Sequence, residues 1–275
     1  MRISRRSCAR SRLTDDPSKP ERPIDENLLR RLLSVVGDDA ILVGGQSLAV
    51  WAHFFGIEPK GVLAPFVTAD ADFLGDRAVA RAIAEKLGGR LFVPTADDHV
   101  AVSAAVVTFP TKDGGYVRAD FLASVAGMDT QKIRDRATPV EAWGSGILVM
   151  HPVDCLQSRL ANLRLLPEKR NAVGVAQAKL AIRILRATIE RYLKEGHGRF
   201  ALELAERVGD LARTKEVASV QKEYGIDPLK AIPLQAMPGE FREKQWPRIQ
   251  ARTQRRLAKT TPAGRSRNIV KIPKR

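Results

Sequence analysis

Three acidic side chains and a pair of glycines are the residues of this chain whose types and spacing could do chemistry. Asp70 and Asp72 sit one residue apart in Thr68-Ala69-Asp70-Ala71-Asp72-Phe73-Leu74, part of an apolar run of strand length. Alternate residues of a strand share a face, so both carboxylates are predicted to point the same way, with Thr68 beside them. Like charges placed side by side on a strand repel and cost free energy. A cation between them reverses the sign, and paired carboxylates offer the hard oxygen ligands suited to Mg²⁺. Asp120 is a third acid on a later apolar run, Tyr116 to Leu122, where Arg118 and Asp120 share one face and Val117, Ala119 and Phe121 the other. Three carboxylates on neighbouring strands can hold two Mg²⁺ ions about 4 Å apart, the clamp used for in-line displacement at phosphorus. One ion would lower the pKa of an attacking hydroxyl, whose proton Asp120 could accept. The other would hold a triphosphate and the departing pyrophosphate.

The elements that must position these groups can be read around them. Ile41-Leu42-Val43-Gly44-Gly45-Gln46-Ser47 reads as a buried strand, a glycine corner and the start of a helix that runs to Phe55. Such a corner turns backbone N–H groups toward a site where phosphate oxygens can sit, which makes Gly44, Gly45 and Gln46 candidate nucleotide contacts. Before it, Asp25 is the predicted N-cap of an amphipathic helix to Val36. After the acidic strand (Val67 to Leu74), Asp76 is the predicted cap of a helix over Arg77 to Leu87, with Gly88-Gly89 as its stop. Strands are expected at Arg90–Val93 and Val100–Phe109, and Lys112-Asp113-Gly114-Gly115 is a hairpin turn into Tyr116–Leu122. Ala123 to Asp135 reads as irregular with one helical turn, and short strands follow near Val140 and at Ile147 to Met150. From Pro152 onward the period is helical: Val153–Leu166, Asn171–Lys194, one helix from Gly198 to about Tyr224, then a basic helix over Glu240–Lys259. His151 is expected to cap or pack the first of these. The fold class predicted is α/β (α+β), a mixed sheet flanked by helices over residues 23–150. A helical bundle over 151–238 and a basic helix and tail over 239–275 complete the chain.

Charge is unevenly placed. The formal net charge of +15 resides in the ends: residues 1–22 carry +4, residues 241–275 carry +11, and the span between them is neutral. Residues 1–22 read as a disordered basic arm. Basic ends hold phosphate backbones without regard to sequence, so an RNA, tRNA in particular, is an expected partner of the C-terminal helix and tail. The two cysteines, Cys8 and Cys155, give no disulfide framework and fit a reducing cytoplasm. No apolar run approaches membrane-spanning length.

Taken in order, Val43-Gly44-Gly45, Asp70-Ala71-Asp72 and Ala119-Asp120-Phe121 resemble the signature of the DNA polymerase β-like nucleotidyltransferase superfamily. Within it the chain is most similar to the abortive-infection toxin branch of bacterial toxin–antitoxin systems, through Gly45-Gln46-Ser47 and Thr68-Ala69-Asp70-Ala71-Asp72-Phe73. That branch enters a helix through a proline and meets the triphosphate with a lysine a few residues on. Pro152 leads here to Leu156-Gln157-Ser158-Arg159-Leu160, which assigns the role to Arg159. The resemblance covers roughly residues 38–190. It departs from the branch in an insertion at Ile57–Phe66, and in Asn171 where an acid commonly follows the basic pair Lys169-Arg170. The resemblance implies Mg²⁺-dependent transfer of a nucleoside monophosphate from an NTP to an acceptor hydroxyl, that of an RNA 3′ end (tRNA especially), a protein side chain or a small molecule. It implies Asp70, Asp72 and Asp120 as catalytic metal ligands, with Gly44, Gly45, Gln46, Thr68 and Arg159 on the nucleotide and an antitoxin protein as partner. The alternative from another class is a non-catalytic RNA-binding or antitoxin-binding module on a degenerate copy of that fold.

Overall fold

The computed structural model describes residues 19–64, 70–94 and 103–260 of the chain. They form a mixed α/β protein with two compact units that divide between Arg159 and Leu160. The first is built on a seven-stranded sheet: β1 Ile41–Val43, β2 Ala71–Leu74, β3 Arg90–Phe92, β4 Ser103–Pro110, β5 Tyr116–Leu122, β6 Thr138–Ala142 and β7 Ser145–Val149. The strand order is β3-β4-β5-β2-β1-β7-β6. β2 runs parallel to β5, and β1 runs parallel to β7 but antiparallel to β2. The strands that carry the predicted chemistry therefore lie side by side at the centre of the sheet.

Local chemistry accounts for the helices of this unit. Asp25 caps α1 (Glu26–Val36) by accepting from the Leu28 amide, and Leu29, Leu32, Leu33 and Val36 form its buried stripe. α2 (Gly44–Phe54) starts directly at the end of β1. Asp76 caps α3 (Arg77–Leu87) through two amides, and Gly88 ends it in the left-handed region at φ 71°. α1 and α3 pack on each other, α1 also on β7 and α3 on β4, while α2 packs on β1 and β2. The expected hairpin turn is present, closed by the Thr111 amide donating to the Gly115 carbonyl at 3.0 Å. The segment expected to hold one helical turn contains α4 (Thr130–Arg136), capped by Asp129. α5 (Pro152–Leu165) follows β7 and passes from the first unit into the second, with the Val153 amide donating to His151 Nδ1 at 3.2 Å.

Three features differ from the expectation. Pro20 to Arg22, placed by composition in a disordered arm, lie beside β5: the Tyr116 amide donates to the Pro20 carbonyl and the Arg22 amide to the Tyr116 carbonyl. Residues 1–18 are outside the described part. Asp70 is a bend immediately before β2 rather than a residue within it. The predicted insertion contains a 3₁₀ turn, Gly61–Leu63, with Leu63 buried; its end at Pro65-Phe66 is outside the described residues.

The second unit is helical: α6 (Ala172–Lys194), α7 (Gly198–Ala212), α8 (Lys215–Tyr224) and α9 (Trp246–Lys259), with two short 3₁₀ turns, Pro228–Ala231 and Leu234–Ala236, between α8 and α9. The Asn171 side chain caps α6 by accepting from the Gly174 amide. The single helix expected from Gly198 to Tyr224 is two. Arg213 ends the first, and the Thr214 hydroxyl accepts from the Val217 amide to begin the second. The helix expected from Glu240 begins as a π turn over Phe241–Gln245. Pro247 explains this: with no N–H to donate and a ring that crowds the preceding turn, it widens the helix ahead of it. No helix among the described residues is long and apolar enough to cross a membrane.

Candidate active site

Strand register brings the acids together. Asp72 is the cross-strand partner of Val43 on one side and of Asp120 on the other. Their neighbours Phe73 and Phe121 are also in register, fully buried on the opposite face, and their rings stack with centroids 5.4 Å apart. Such a pair is worth about 0.5–1.5 kcal/mol beyond the area it buries. A slip of either strand by one residue would turn its phenylalanine out and its carboxylate in, so the aromatic pair fixes the register that the acids need. Asp70, Asp72 and Asp120 each offer a carboxylate oxygen, and these atoms lie within 4.8 Å of one another. The predicted trio is one cluster, with Asp120 buried and the other two half-buried.

The glycine corner closes on that cluster. Gly44 has φ 68°, and a Cβ built on it would lie 1.9 Å from Asp72 Oδ2. Both the left-handed backbone and the close approach exclude any side chain there. Gly45 and Gln46 are buried in the first turn of α2. Ser47, part of the motif but given no separate role, is fully buried. Its hydroxyl donates to the Gly44 carbonyl at 2.9 Å and meets Cys155 Sγ at 3.4 Å. Thr68 lies outside the described residues.

Two arginines attend the acids. Arg118, two residues before Asp120 and so on its face of β5, forms an ion pair with it at 2.7 Å. Burial pushes the Asp120 carboxyl above its ordinary range; Arg118 and the Ser103 hydroxyl pull it back, and the Asp70 charge adds to the rise. Burial works against the Arg118 charge, but Asp120 foremost, with Glu21 and Asp70, turns the net shift upward. Arg159 is buried one helical turn beyond Cys155, where burial lowers its pKa against the opposing pull of Asp72, Cys155 and Asp70. The repulsion that the sequence left to bound cations is therefore met in part inside the protein. Arg118 was readable from its two-residue spacing to Asp120. That Arg159 faces the acids was readable only from the resemblance, since α5 gives no clear apolar stripe.

α5 itself is fastened at its start. Arg136, the last residue of α4, grips the fully buried Asp154 through two hydrogen bonds of 2.9 and 2.7 Å. The Trp51 indole N–H and the Cys155 thiol both donate to the Met150 carbonyl. Nothing in the sequence pattern marked Asp154 or Cys155. Together these contacts tie α2 and α5 to the end of β7 and set Arg159 beside the acids.

Chemically, the site offers hard oxygen donors, a helix N-terminus with its orphan N–H groups, and a buried guanidinium. The donors fit a divalent cation, and the N–H groups with Arg159 fit a polyphosphate. The chain matches no family model and no curated protein.

Proposed function

We propose that the chain is an Mg²⁺-dependent nucleotidyltransferase that moves a nucleoside monophosphate from an NTP to an acceptor hydroxyl. The observation that supports this best is the convergence of Asp70, Asp72 and Asp120 within 4.8 Å, beside a glycine whose missing side chain leaves room for the Asp72 carboxylate. The ordered resemblance of these residues to the polymerase β-like superfamily supports the same reading. In it, Asp70, Asp72 and Asp120 hold the metal. When bound, Mg²⁺ supplies charge stabilisation at phosphorus and lowers the pKa of a ligated hydroxyl. Asp120, buried and raised in pKa, is suited to take the proton of the acceptor hydroxyl. The first turn of α2 orients phosphate oxygens, and Arg159 lends a positive charge in a site where burial keeps it from being screened by solvent.

The test is incubation of the chain with each α-labelled NTP, Mg²⁺ and cell extract, asking whether label enters RNA or protein. The Asp70→Asn/Asp72→Asn protein serves as control. Charge stabilisation by such ions is worth several kcal/mol, so the variant should lose about a thousandfold or more in rate. Equal labelling by wild type and variant would remove the reading.

The Arg118–Asp120 ion pair favours one other reading, a non-catalytic module in which arginines balance the acids and no metal is needed. Titration with Mg-NTP separates the two. Heat with wild type that vanishes in the double variant supports the enzyme; no heat with either supports the module. The toxin assignment rests on the sequence resemblance, and growth arrest on expression that the double variant relieves would support it.

A further inference from the structure

The second unit contains a cleft of about 580 Å³ whose charged lining is almost entirely basic. Arg252, Arg255, Arg256 and Lys259 of α9 form one wall, and Arg213, at the end of α7, stands with Asp210 on the other. Asp210, the one acid in that lining among the described residues, is ion-paired with Arg213. Arg256 Nε donates to the Arg213 carbonyl at 2.9 Å, which holds that guanidinium in place and leaves its other N–H groups for a ligand. A smaller adjoining cleft adds Arg248, together with a second acid, Glu206.

This arrangement is not what stability alone selects. Like charges three and four residues apart on a helix destabilise it by a few tenths of a kcal/mol per pair, and α9 has several such pairs on its exposed face. The helix is held by its other side, where Thr253 is buried and Ile249 lies so close to Gly209 that a Cβ there would meet it at 3.1 Å. A cleft with five cations and one paired acid asks for a polyanion. Among the described residues no aromatic side chain lines it, so that lining lacks the platform on which single-stranded bases stack. What remains is recognition of a backbone. Arg248, Arg252 and Arg256 recur every four residues, about 6 Å along the helix axis. That repeat suits the step between successive phosphates of an A-form strand, which is shorter than the B-form step.

We propose that this cleft binds the sugar–phosphate backbone of double-helical RNA through Arg213, Arg252, Arg255, Arg256 and Lys259. The inference rests on the nucleotidyl-transfer reading only in that the bound RNA would carry the acceptor hydroxyl. The test uses the full chain with three fluorescent probes: an RNA duplex, a DNA duplex of the same sequence, and single-stranded poly(U). Anisotropy is read from about 50 to 200 mM salt, the range over which phosphate contacts lose affinity. Wild type should prefer the RNA duplex. Arg252→Ala/Arg255→Ala/Arg256→Ala should lower the slope of log affinity against log salt by about 3, with weakening of tens of fold at the low-salt end. The single variant Arg252→Glu, at an exposed site, should weaken binding in the same direction. Asp70→Asn/Asp72→Asn should bind RNA as wild type does. Transfer surviving in that variant would count against the enzyme reading and leave the cleft standing. Unchanged RNA binding by the triple variant would assign any binding to the basic tail and overturn the proposal, as would equal affinity for the DNA duplex or a preference for poly(U).

Discussion

Asp120 is almost wholly out of solvent with its carboxylate 2.7 Å from a guanidinium, whereas the arginines of α9 stand exposed along an open cleft. In the first region charges of opposite sign are interleaved and partly buried, where electrostatic interactions are strong and little screened. In the second, charges of one sign are gathered in solvent, where each is weak and salt screens it. The contrast teaches where placement matters and where number does. An ångström lost at the acidic cluster should cost decades of function, while one arginine lost from the cleft should cost a fraction of the whole.

The largest effect that would break this contrast is expected at Gly44. Gly44→Ala places a methyl group on Asp72 and forces a non-glycine residue into the left-handed region, which costs about 1–2 kcal/mol before any clash. The proposed nucleotidyl transfer should fall to background, and thermal unfolding should begin at a lower temperature. Transfer within a factor of two of wild type would mean that the corner and the acids do not work as one site. A smaller effect sharpens the contrast through salt. Raising it from about 50 to 200 mM should weaken the proposed RNA binding at the cleft by an order of magnitude or more. NTP binding in the presence of Mg²⁺ should change much less in wild type, and equal sensitivity of the two would contradict the difference in burial.

The smallest effect concerns pH. The Asp120 carboxyl is raised on folding, chiefly by burial. Such a group contributes stability that is complete below its unfolded value, about 3.9, and is lost as pH rises through the raised folded value. Asp120→Asn cannot titrate, so the difference in unfolding free energy between wild type and variant should change across that window and level off above it. Denaturant unfolding at a series of pH values checks this. A constant difference throughout would show that Asp120 is not perturbed.

Much of the first unit was legible because its signals are local. Asp25 and Asp76 announce helix starts, Gly88 a stop, and Lys112-Asp113-Gly114-Gly115 a turn, each through chemistry contained within a few residues. The acidic cluster was legible for a different reason, since three carboxylates on apolar strands are costly wherever they do not meet a counter-charge. What escaped depends on contacts distant in sequence or on small backbone effects. Apolar spacing continues across Arg213-Thr214, so the break between α7 and α8 is hidden until the Thr214 cap is noticed. The span Glu240–Lys259 reads as one helix by its apolar spacing, so the π turn over Phe241–Gln245 ahead of Pro247 was missed. Trp143, at φ 51° before Gly144, turns β6 into β7 with a residue type that rarely adopts this conformation. Part of the charge balance was missed as well, because a two-residue spacing shows that Arg118 and Asp120 share a face, not that they bond.

The Cys155 thiol has a consequence of its own. Enclosed between Ser47 and the Met150 carbonyl, with its pKa pushed by burial up to about 12, it has almost no thiolate at neutral pH, the form that attacks disulfide reagents. In a chain with Cys8 replaced by serine, 5,5′-dithiobis(2-nitrobenzoate) should therefore react only as fast as the sulfur becomes uncovered. The colour that develops would time the opening of the contact between α2 and α5, a built-in clock for the very corner on which Arg159 depends.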